Sequence, residues 1–301
     1  MTYAIEHITR YDFSSAVFLE PHTVRLNPRQ DGTTVVLEHT QAVVPAPFAR
    51  SRALDHHGNV TDRLWFSGTT ERLSIRQSLR ITSLRDNPFD YIPDPASERL
   101  PQLYQGAAAT ALAPYLATDS VDGLRAFLIP LVGSAVYNDI QTARTTGTIA
   151  DHGLSCSEFV MLLTQTLSER YEAIVREDGE AWPAEHTLRE RAASCRDLTV
   201  LFCAACRDLG IASRFVSGYQ AGDPDQDQDT RDLHAWAEVY TTDGGWRGFD
   251  PTLGLAVADE HIALAAAADP VDAAPVTGSF RGTGARSHLH HEIHLTTNLS
   301  S

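Results

Sequence analysis

A cysteine, a histidine and an aspartate follow one another in the second half of the chain, and their types suit nucleophilic catalysis. They are Cys195, His234 and Asp250. A cysteine attacks a carbonyl carbon as its thiolate, and a helix N-terminus and a nearby imidazolium both favour that anion. An aspartate beside the histidine can fix the imidazole tautomer while the other ring nitrogen meets the thiol. The three residues therefore predict a thiol nucleophile that forms a thioester with its substrate.

The residues around Cys195 predict the helix that this chemistry requires. Apolar side chains recur at helical spacing from Cys195 to Leu209, with Ser194 as the N-cap and Asp197 as the acidic partner of a capping box. Gly210 follows as a left-handed stop. Cys195 is therefore expected in the first turn, where the dipole favours an anion and unpaired N–H groups could bind an oxyanion. The competing interpretation is a buried structural cysteine.

His234 and Asp250 are predicted to lie on the two strands of one hairpin. An alternating strand starts at His234, a Thr-Thr-Asp-Gly-Gly turn follows it, and Trp246 starts the return strand that ends at Asp250. Pairing Tyr240 with Trp246 puts the histidine and the aspartate on one face as diagonal neighbours, with Cα atoms about 7–8 Å apart. A register slip of one residue would separate them.

Two tryptophans are candidates for residues of the substrate cleft. An indole N–H of Trp182 or Trp236 near the thiol could help to hold an oxyanion, and Trp236 shares the predicted strand face of His234. Packing in the core is the competing interpretation for both side chains.

The sequence predicts no metal and no cofactor. Cys203 and Cys206 have the spacing of a redox or metal-binding pair, but they fall in mid-helix without a second pair, so packing is favoured, as it is for Cys156. The alternating aspartates of 223–229 lack the glycine and the closing glutamate of an EF-hand loop. The histidines of the strand 288–295 could chelate zinc, although a solvent-facing strand explains them more simply.

Several further motifs complete a family pattern. They are Ser-Cys-Arg-Asp (194–197), residues 209–219, Asp-Leu-His-Ala-Trp (232–236), Gly-Phe-Asp-Pro-Thr (248–252), residues 176–179 and, near the start, residues 7–11, 25–29 and Asp-His-His-Gly-Asn (55–59). The sequence thereby resembles the transglutaminase-like superfamily of papain-like fold, in its bacterial branch with an N-terminal β-domain. The resemblance implies that Cys195 is the nucleophile, His234 the general base and acid, and Asp250 the residue that orients the histidine. It also implies a protein or peptide substrate.

The resemblance leaves three functions open. Hydrolysis by a cysteine protease or amidase is favoured, because water resolves an accessible thioester unless the site excludes water or binds a competing amine. Transfer of the acyl group to an amine, as in a transglutaminase, is the alternative. The third is a non-catalytic binding module with a vestigial triad, which is favoured by Ala193 in the place where the family usually has glycine. A β-carbon there could narrow the approach to the thiol or require another backbone angle.

The whole chain predicts an α+β protein of two domains. Residues 1–100 are predicted to form an antiparallel β-sandwich-like domain, and residues 101–301 a papain-like catalytic domain of helices and a sheet. An alanine-rich stretch, 264–274, is interpreted as part of a tail. The other predicted strands are 33–44, 60–66, 73–84, 211–219, 234–240, 246–250 and 288–295, and the predicted helices are 106–116, 121–132, 157–174 and 195–209.

Composition narrows the partners and the compartment. The net charge of −15 argues against binding to nucleic acid or to an anionic membrane, because both attract a basic surface. We find neither a signal peptide nor an apolar run of membrane-spanning length in the sequence. Four cysteines fit a reducing compartment better than a disulfide framework. We therefore expect a cytoplasmic protein, and the oligomeric state stays open.

Overall fold

The first part of the chain is made of strands. The computed structural model describes residues 1–94, 98–117, 119–147, 153–176, 179–222 and 232–298. In β6, for example, Leu73, Ile75, Leu79 and Ile81 are buried and alternate with more exposed residues, so one strand face supplies the core. The strands of this part are β1 (Thr2–Leu19), β2 (His22–Val24), β3 (Thr34–Val44), β4 (Ala49–Leu54), β5 (Val60–Trp65) and β6 (Thr70–Ser83).

The second part of the chain mixes helices and strands. The helices are α1 (Gly106–Leu116), α2 (Leu124–Val132), α3 (Ser134–Thr146), α4 (Cys156–Arg170), α5 (Ala184–Thr187), α6 (Cys195–Asp208) and a short 3-10 helix (Pro270–Ala273). The strands are β7 (Glu172–Ala173), β8 (Ala192–Ala193), β9 (Ser213–Gln220), β10 (His234–Thr241), β11 (Gly245–Asp250), β12 (Leu255–Ala256), β13 (His261–Ala267), β14 (Val276–Thr277), β15 (Phe280–Arg281) and β16 (Ser287–Asn298). The fold is α+β, as the sequence predicts. Of the helices in the described residues, none combines the length and the apolar composition needed to cross a bilayer.

Two antiparallel sheets form the N-terminal domain and share one apolar core. The first has the strand order β15-β1-β6-β3, with β16 also on β1, and the second has the order β14-β2-β5-β4. Val24 and Leu64 of the second sheet join Ile5 and Ile75 of the first in one buried cluster. The predicted sandwich-like arrangement is therefore present.

The end of the chain returns to this first domain. β16 pairs with β1 over almost its whole length, from Asn298 opposite Thr2 to Ser287 opposite Phe13. β14 pairs with β2, and β15 with the end of β1. The sequence-based division assigned all of residues 101–301 to the second domain, and these last strands depart from it. Without them one edge of β1 would expose unpaired backbone groups, which the returning strands satisfy.

A third sheet and α6 form the centre of the second domain. The strand order is β12-β11-β10-β9-β13. The ring of Phe202 on α6 stacks on Phe249 of β11 with centroids 6.4 Å apart. Leu128 of α2 and Phe159 of α4 belong to the same buried cluster. α6 is thus enclosed between the helices and the sheet. Its first residue is Cys195.

α3 and β13 are among the elements that were not predicted from the sequence. α3 buries only Tyr137, Ile140 and Ala143, a narrow stripe that does not stand out as an apolar period. β13 was interpreted as part of an alanine-rich tail, and this interpretation is wrong. Alanine has a low strand propensity. In β13, however, Ala265 and Ala267 are fully buried, so the packing around this strand favours small side chains.

The N-terminal domain contacts the outer edge of β13. In the turn between β4 and β5, the side chain of Asn59 donates to the carbonyl oxygen of Ala266 at 2.9 Å and accepts from its N–H at 2.8 Å. Asp55 accepts from the side-chain amide of Asn59 at 3.0 Å and so holds this side chain in place. The N–H of Arg29 donates to the carbonyl oxygen of Ala263 at 2.9 Å. These groups satisfy an edge that would otherwise be unpaired.

Candidate active site

A buried carboxylate fixes the N-terminus of α6. Asp197 is fully buried and accepts five hydrogen bonds: two from Ser194, one from the backbone N–H of Trp182 and two from the guanidinium of Arg176. Burial alone would raise the pKa of Asp197, but the hydrogen bonds lower it. Ser194 is the N-cap and Cys195 the first residue of the helix, as the sequence predicts.

Arg196 ties the preceding segment to the same helix end. Its guanidinium donates to the carbonyl oxygens of Gly179 at 2.8 Å and of Arg176 at 2.7 Å. The guanidinium of Arg176 in turn lies 4.4 Å from the centroid of the Trp182 ring. Cys195 is therefore flanked by residues that are anchored on both sides, which holds its backbone in one position.

Cys195 meets His234 where the first turn of α6 approaches the start of β10. Cys195 is half-buried and packs against a buried cluster that includes Phe215, Ala235 and Ala265. Its thiol lies within hydrogen-bonding range of the His234 ring. Because Nε2 of that ring is 2.6 Å from Oδ2 of Asp250, Nδ1 is the nitrogen that faces the thiol.

Asp250 is fully buried at the end of β11. Its Oδ1 accepts from the backbone N–H groups of Thr252 at 2.9 Å and Leu253 at 3.1 Å. Within the hairpin Tyr240 lies opposite Trp246, which confirms the predicted register. This register brings Asp250 and His234 to the same face of the sheet.

The contact between the histidine and the aspartate favours the charged form of each side chain. Burial alone would lower the pKa of His234, but the hydrogen bond to Asp250 and the proximity of Cys195 raise it to about 10. Burial alone would raise the pKa of Asp250, but hydrogen bonds from His234 and His261 hold it well below its usual range. These shifts favour an imidazolium paired with a carboxylate beside a half-buried thiol.

A second histidine, which the sequence analysis missed, contacts the same carboxylate. His261 is the first residue of β13, its side chain is 1% exposed, and its Nε2 lies 3.0 Å from Oδ2 of Asp250. A strand prediction for residues 261–267 would have placed this histidine near the site. The alanine-rich sequence hid that strand, and the histidine with it.

The two predicted tryptophans lie in different surroundings. Trp236 is 1% exposed, and its ring lies 6.4 Å from that of His234 in a stacked arrangement. Its indole N–H is buried and, among the described residues, has no hydrogen-bond partner. Trp182 is half-buried, and its ring contacts the guanidinium of Arg176 and the ring of His186. Burial favours packing for Trp236, and a contact of either indole with an oxyanion stays a prediction.

Ala193, the departure from the family pattern, is accommodated in the core. It is fully buried in the same cluster as Leu198 and lies in β8, opposite Ala173 of β7. In the described part of the chain, no residue other than glycine has a positive φ. Its methyl group therefore neither faces the approach to the thiol nor demands an unusual backbone angle.

The other three cysteines, Cys156, Cys203 and Cys206, are buried. Burial raises the pKa of each thiol above its usual value. Their surroundings favour the packing role that the sequence predicts for them.

Two groups of three potential metal ligands lie close together in the described residues. They are His234, Asp250 and His261, and His56, His57 and Asp272, each group with ligand atoms within 4.8 Å of one another. In the first group, hydrogen bonds between the imidazoles and the carboxylate explain the proximity. The absence of a metal and of a cofactor stays a prediction. The acidic segment 223–229 lies outside the described residues.

Comparison with known proteins gives the family. Residues 142–251 match the model of the transglutaminase-like superfamily core, and residues 3–82 match the bacterial transglutaminase-like N-terminal region. This chain belongs to the transglutaminase-like superfamily. The core match includes Cys195, His234 and Asp250, and the two matches together cover more than half of the chain.

Individual relatives match most of the chain. An uncharacterized protein of Mycobacterium tuberculosis is 28% identical over 291 residues, which cover 92% of this chain and 86% of the relative. An uncharacterized protein of Mycobacterium leprae is 34% identical over 96 residues, 30% of this chain and 33% of the relative. The crystal structure of a candidate cysteine protease from Cytophaga hutchinsonii has a TM-score of 0.68 at 21% identity, covering 100% of this chain and 92% of that chain. The shared fold is α+β with a papain-like core.

Proposed function

We propose that this protein is a thiol-dependent acyl-transfer enzyme that cleaves amide bonds in protein or peptide substrates, with hydrolysis as its main reaction. The proposal rests on one observation. At the first turn of α6 the ring of His234 lies between the thiol of Cys195 and the carboxylate of Asp250 and interacts with both. Membership of the transglutaminase-like superfamily supports the same class of chemistry.

The first half-reaction forms a thioester. The raised pKa of His234 supports an imidazolium at neutral pH, and an imidazolium beside the thiol favours the thiolate. Sγ of Cys195 attacks the amide carbonyl carbon, and the carbonyl electron pair moves to the oxygen. Backbone N–H groups at the start of α6, ahead of the first intrahelical hydrogen bond, can bind this oxyanion. Collapse of the intermediate breaks the C–N bond, and the leaving amine takes the proton from Nδ1 of His234.

The second half-reaction releases the acyl group. Water attacks the thioester carbonyl while the neutral His234 takes one of its protons at Nδ1. The tetrahedral intermediate expels the thiolate, which restores the starting ion pair and yields a carboxylic acid. Asp250 keeps the proton on Nε2 throughout, so that only Nδ1 exchanges protons with the reactants.

The identity of the second nucleophile separates hydrolysis from transfer. We favour water because a half-buried, accessible thioester is hydrolysed unless a bound amine competes with it. The test incubates the protein with casein and the fluorescent amine dansylcadaverine, and measures new amino termini, released ammonia and incorporated dye. Hydrolysis predicts new termini or ammonia with little dye in the casein. Dye incorporation that matches the ammonia released would instead identify a transglutaminase.

The nucleophile itself can be identified with a simple acyl donor. After exposure to p-nitrophenyl acetate at neutral pH, peptide mapping by mass spectrometry is expected to find the acetyl group on Cys195. The variant His234→Gln is expected to acylate more slowly, because it lacks the ion pair. A folded protein whose Cys195 resists both this reagent and iodoacetamide would contradict the proposal and favour a binding module with a vestigial triad.

A further inference from the structure

His261 is a buried, chemically active side chain that the proposed mechanism does not use. It comes from β13, which reaches the site by pairing with β9, where His261 lies opposite Gln220. Its ring meets the Trp236 ring at a centroid distance of 5.1 Å and an interplanar angle of 78°. This contact fixes the plane of the imidazole and directs Nε2 toward Asp250.

The position of His261 completes the hydrogen bonding of the Asp250 carboxylate. Two backbone N–H groups, of Thr252 and Leu253, occupy Oδ1. Oδ2 lies 2.6 Å from Nε2 of His234 and 3.0 Å from Nε2 of His261. Four donors therefore surround a carboxylate that has no contact with solvent.

This sharing requires a defined protonation of both rings. A carboxylate oxygen only accepts, so each imidazole must carry its proton on Nε2 to bond with it. For His234, a proton on Nε2 leaves Nδ1 as the nitrogen that faces the thiol. Without His261, Oδ2 would have a single side-chain donor, and rotation of the carboxylate would be opposed only by the bonds at Oδ1.

We propose that His261 is a positioning residue: its imidazole holds the carboxylate of Asp250 in the orientation in which that carboxylate aligns His234 with the thiol of Cys195. This inference rests on the proposed thiol chemistry. It adds a fourth side chain to the site, one that acts through Asp250.

The test compares two substitutions by the rate at which iodoacetamide alkylates Cys195. His261→Leu keeps much of the volume but removes the donor, and His261→Gln keeps an N–H donor near the position of Nε2. At pH 6 the Leu variant is expected to react about 10- to 100-fold more slowly than the wild type, the range expected for loss of a hydrogen bond to a charged group. The Gln variant is expected to recover most of the rate.

The pH dependence separates positioning from general damage. At pH 9 a cysteine ionises without help from an imidazolium, so the Leu variant is expected to approach the wild-type rate there. His22→Leu, which removes a buried imidazole from the N-terminal domain, serves as the matched control and should leave the rate at pH 6 unchanged. Equal rates for wild type and a folded His261→Leu at pH 6 would overturn the proposal, and so would a folded Gln variant as slow as Leu.

A second measurement does not depend on the activity of Cys195. In a Cys195→Ala background with ¹⁵N-labelled histidine, the Nε2–H proton of His234 should be protected from exchange and shifted downfield by its short bond to Asp250. Adding His261→Leu should remove this protection, and His261→Gln should retain it. An unchanged His234 signal in the Leu variant would overturn the role of His261. If the wild type is not alkylated at Cys195, the proposed function fails while this measurement still decides the positioning role.

A metal ion bound by His234, Asp250 and His261 is the alternative explanation of this site, since their ligand atoms lie within 4.8 Å of one another. EDTA is expected to leave both the alkylation rate and the His234 signal unchanged. A change in either, reversed by zinc, would assign the group to a metal ion and overturn positioning by hydrogen bonds.

Discussion

Two helices of this protein begin with nearly the same residues and differ in chemistry. α4 starts with Ser-Cys-Ser-Glu and α6 with Ser-Cys-Arg-Asp, and each has a serine N-cap, a cysteine as its first residue and an acidic residue two positions later. Cys156 of α4 is fully buried, whereas Cys195 of α6 is half-buried. The same local sequence thus produces two different cysteine environments.

The neighbours of the two thiols make the difference. Burial and the charge of Glu98 raise the pKa of Cys156. Glu98 also accepts from the N–H and the hydroxyl of Ser157, so a carboxylate already occupies the N-terminus of α4. Cys195 instead has the His234 ring beside it. A capped helix N-terminus is therefore insufficient for a nucleophile, and the tertiary partner decides the reactivity.

The largest effect is expected from removing each cysteine in turn. Cys195→Ala should lower amide cleavage by about 10⁴-fold or more, because no other group can form the thioester. Cys156→Ala should keep both turnover and iodoacetamide labelling, with a stability loss of about 1 kcal/mol. Peptide mapping of labelled protein reports both variants. If iodoacetamide still labelled the folded Cys195→Ala variant, at Cys156, the cysteines at the two helix starts would have the same reactivity.

The carboxylates near the two thiols provide a sharper comparison. Asp250→Asn should slow turnover by roughly 10²- to 10⁴-fold, because the amide no longer favours the His234 tautomer with its proton on Nε2. Glu98→Gln changes another buried carboxylate, one that accepts hydrogen bonds from Ser157 of α4, so turnover should stay near the wild-type value. Steady-state kinetics on one substrate, with thermal melting as a folding check, distinguish these outcomes.

The two capping carboxylates should differ in their effect on stability. Asp197 is buried and pairs with Arg176, so Asp197→Ala is expected to destabilise the protein by about 3–5 kcal/mol through the uncompensated arginine. Glu158 caps α4 from an exposed position, and Glu158→Ala should cost much less. Urea denaturation of both variants gives the two free energies of unfolding. Similar losses of unfolding free energy in the two variants would mean that burial of Asp197 adds no stability.

The last expected effect is a pH dependence of stability at the α6 site between pH 6.5 and pH 10. The pKa of His234 is raised from 6.5 to about 10, so the folded state binds its proton more tightly than the unfolded state does. The resulting stabilisation is complete below pH 6.5, declines as the pH rises and is lost above about pH 10. The difference in free energy of unfolding between wild type and His234→Gln should therefore shrink from pH 6.5 to pH 10. A constant difference over this interval would contradict the ion pair.

Local signals were sufficient for much of the site. Ser194 and Asp197 predicted where α6 begins, because capping depends on residues within one turn. The Thr-Thr-Asp-Gly-Gly turn predicted the register that brings Asp250 to His234, because a short hairpin leaves few alternatives. The β-rich start of the chain predicted the sandwich for a similar reason, since strand alternation is visible in sequence.

Other features depend on contacts between distant segments. β13 has the composition of a tail and becomes a strand only because β9 and Asn59 satisfy its two edges. His261 depends on the pairing of that strand with β9 for its place beside Asp250, and the alanine-rich sequence does not indicate the strand. The return of β16 to β1 likewise joins the two ends of the chain.

The sequence alone determined the helix that presents Cys195, the hairpin that joins His234 to Asp250, and the family pattern that contains them. These features follow from capping, periodicity and turn geometry, which act over a few residues. Only the tertiary structure decided which capped cysteine meets an imidazole, that His261 shares the carboxylate, and that Ala193 points into the core. These depend on which surfaces pack together, and burial then sets the charge and orientation of each group.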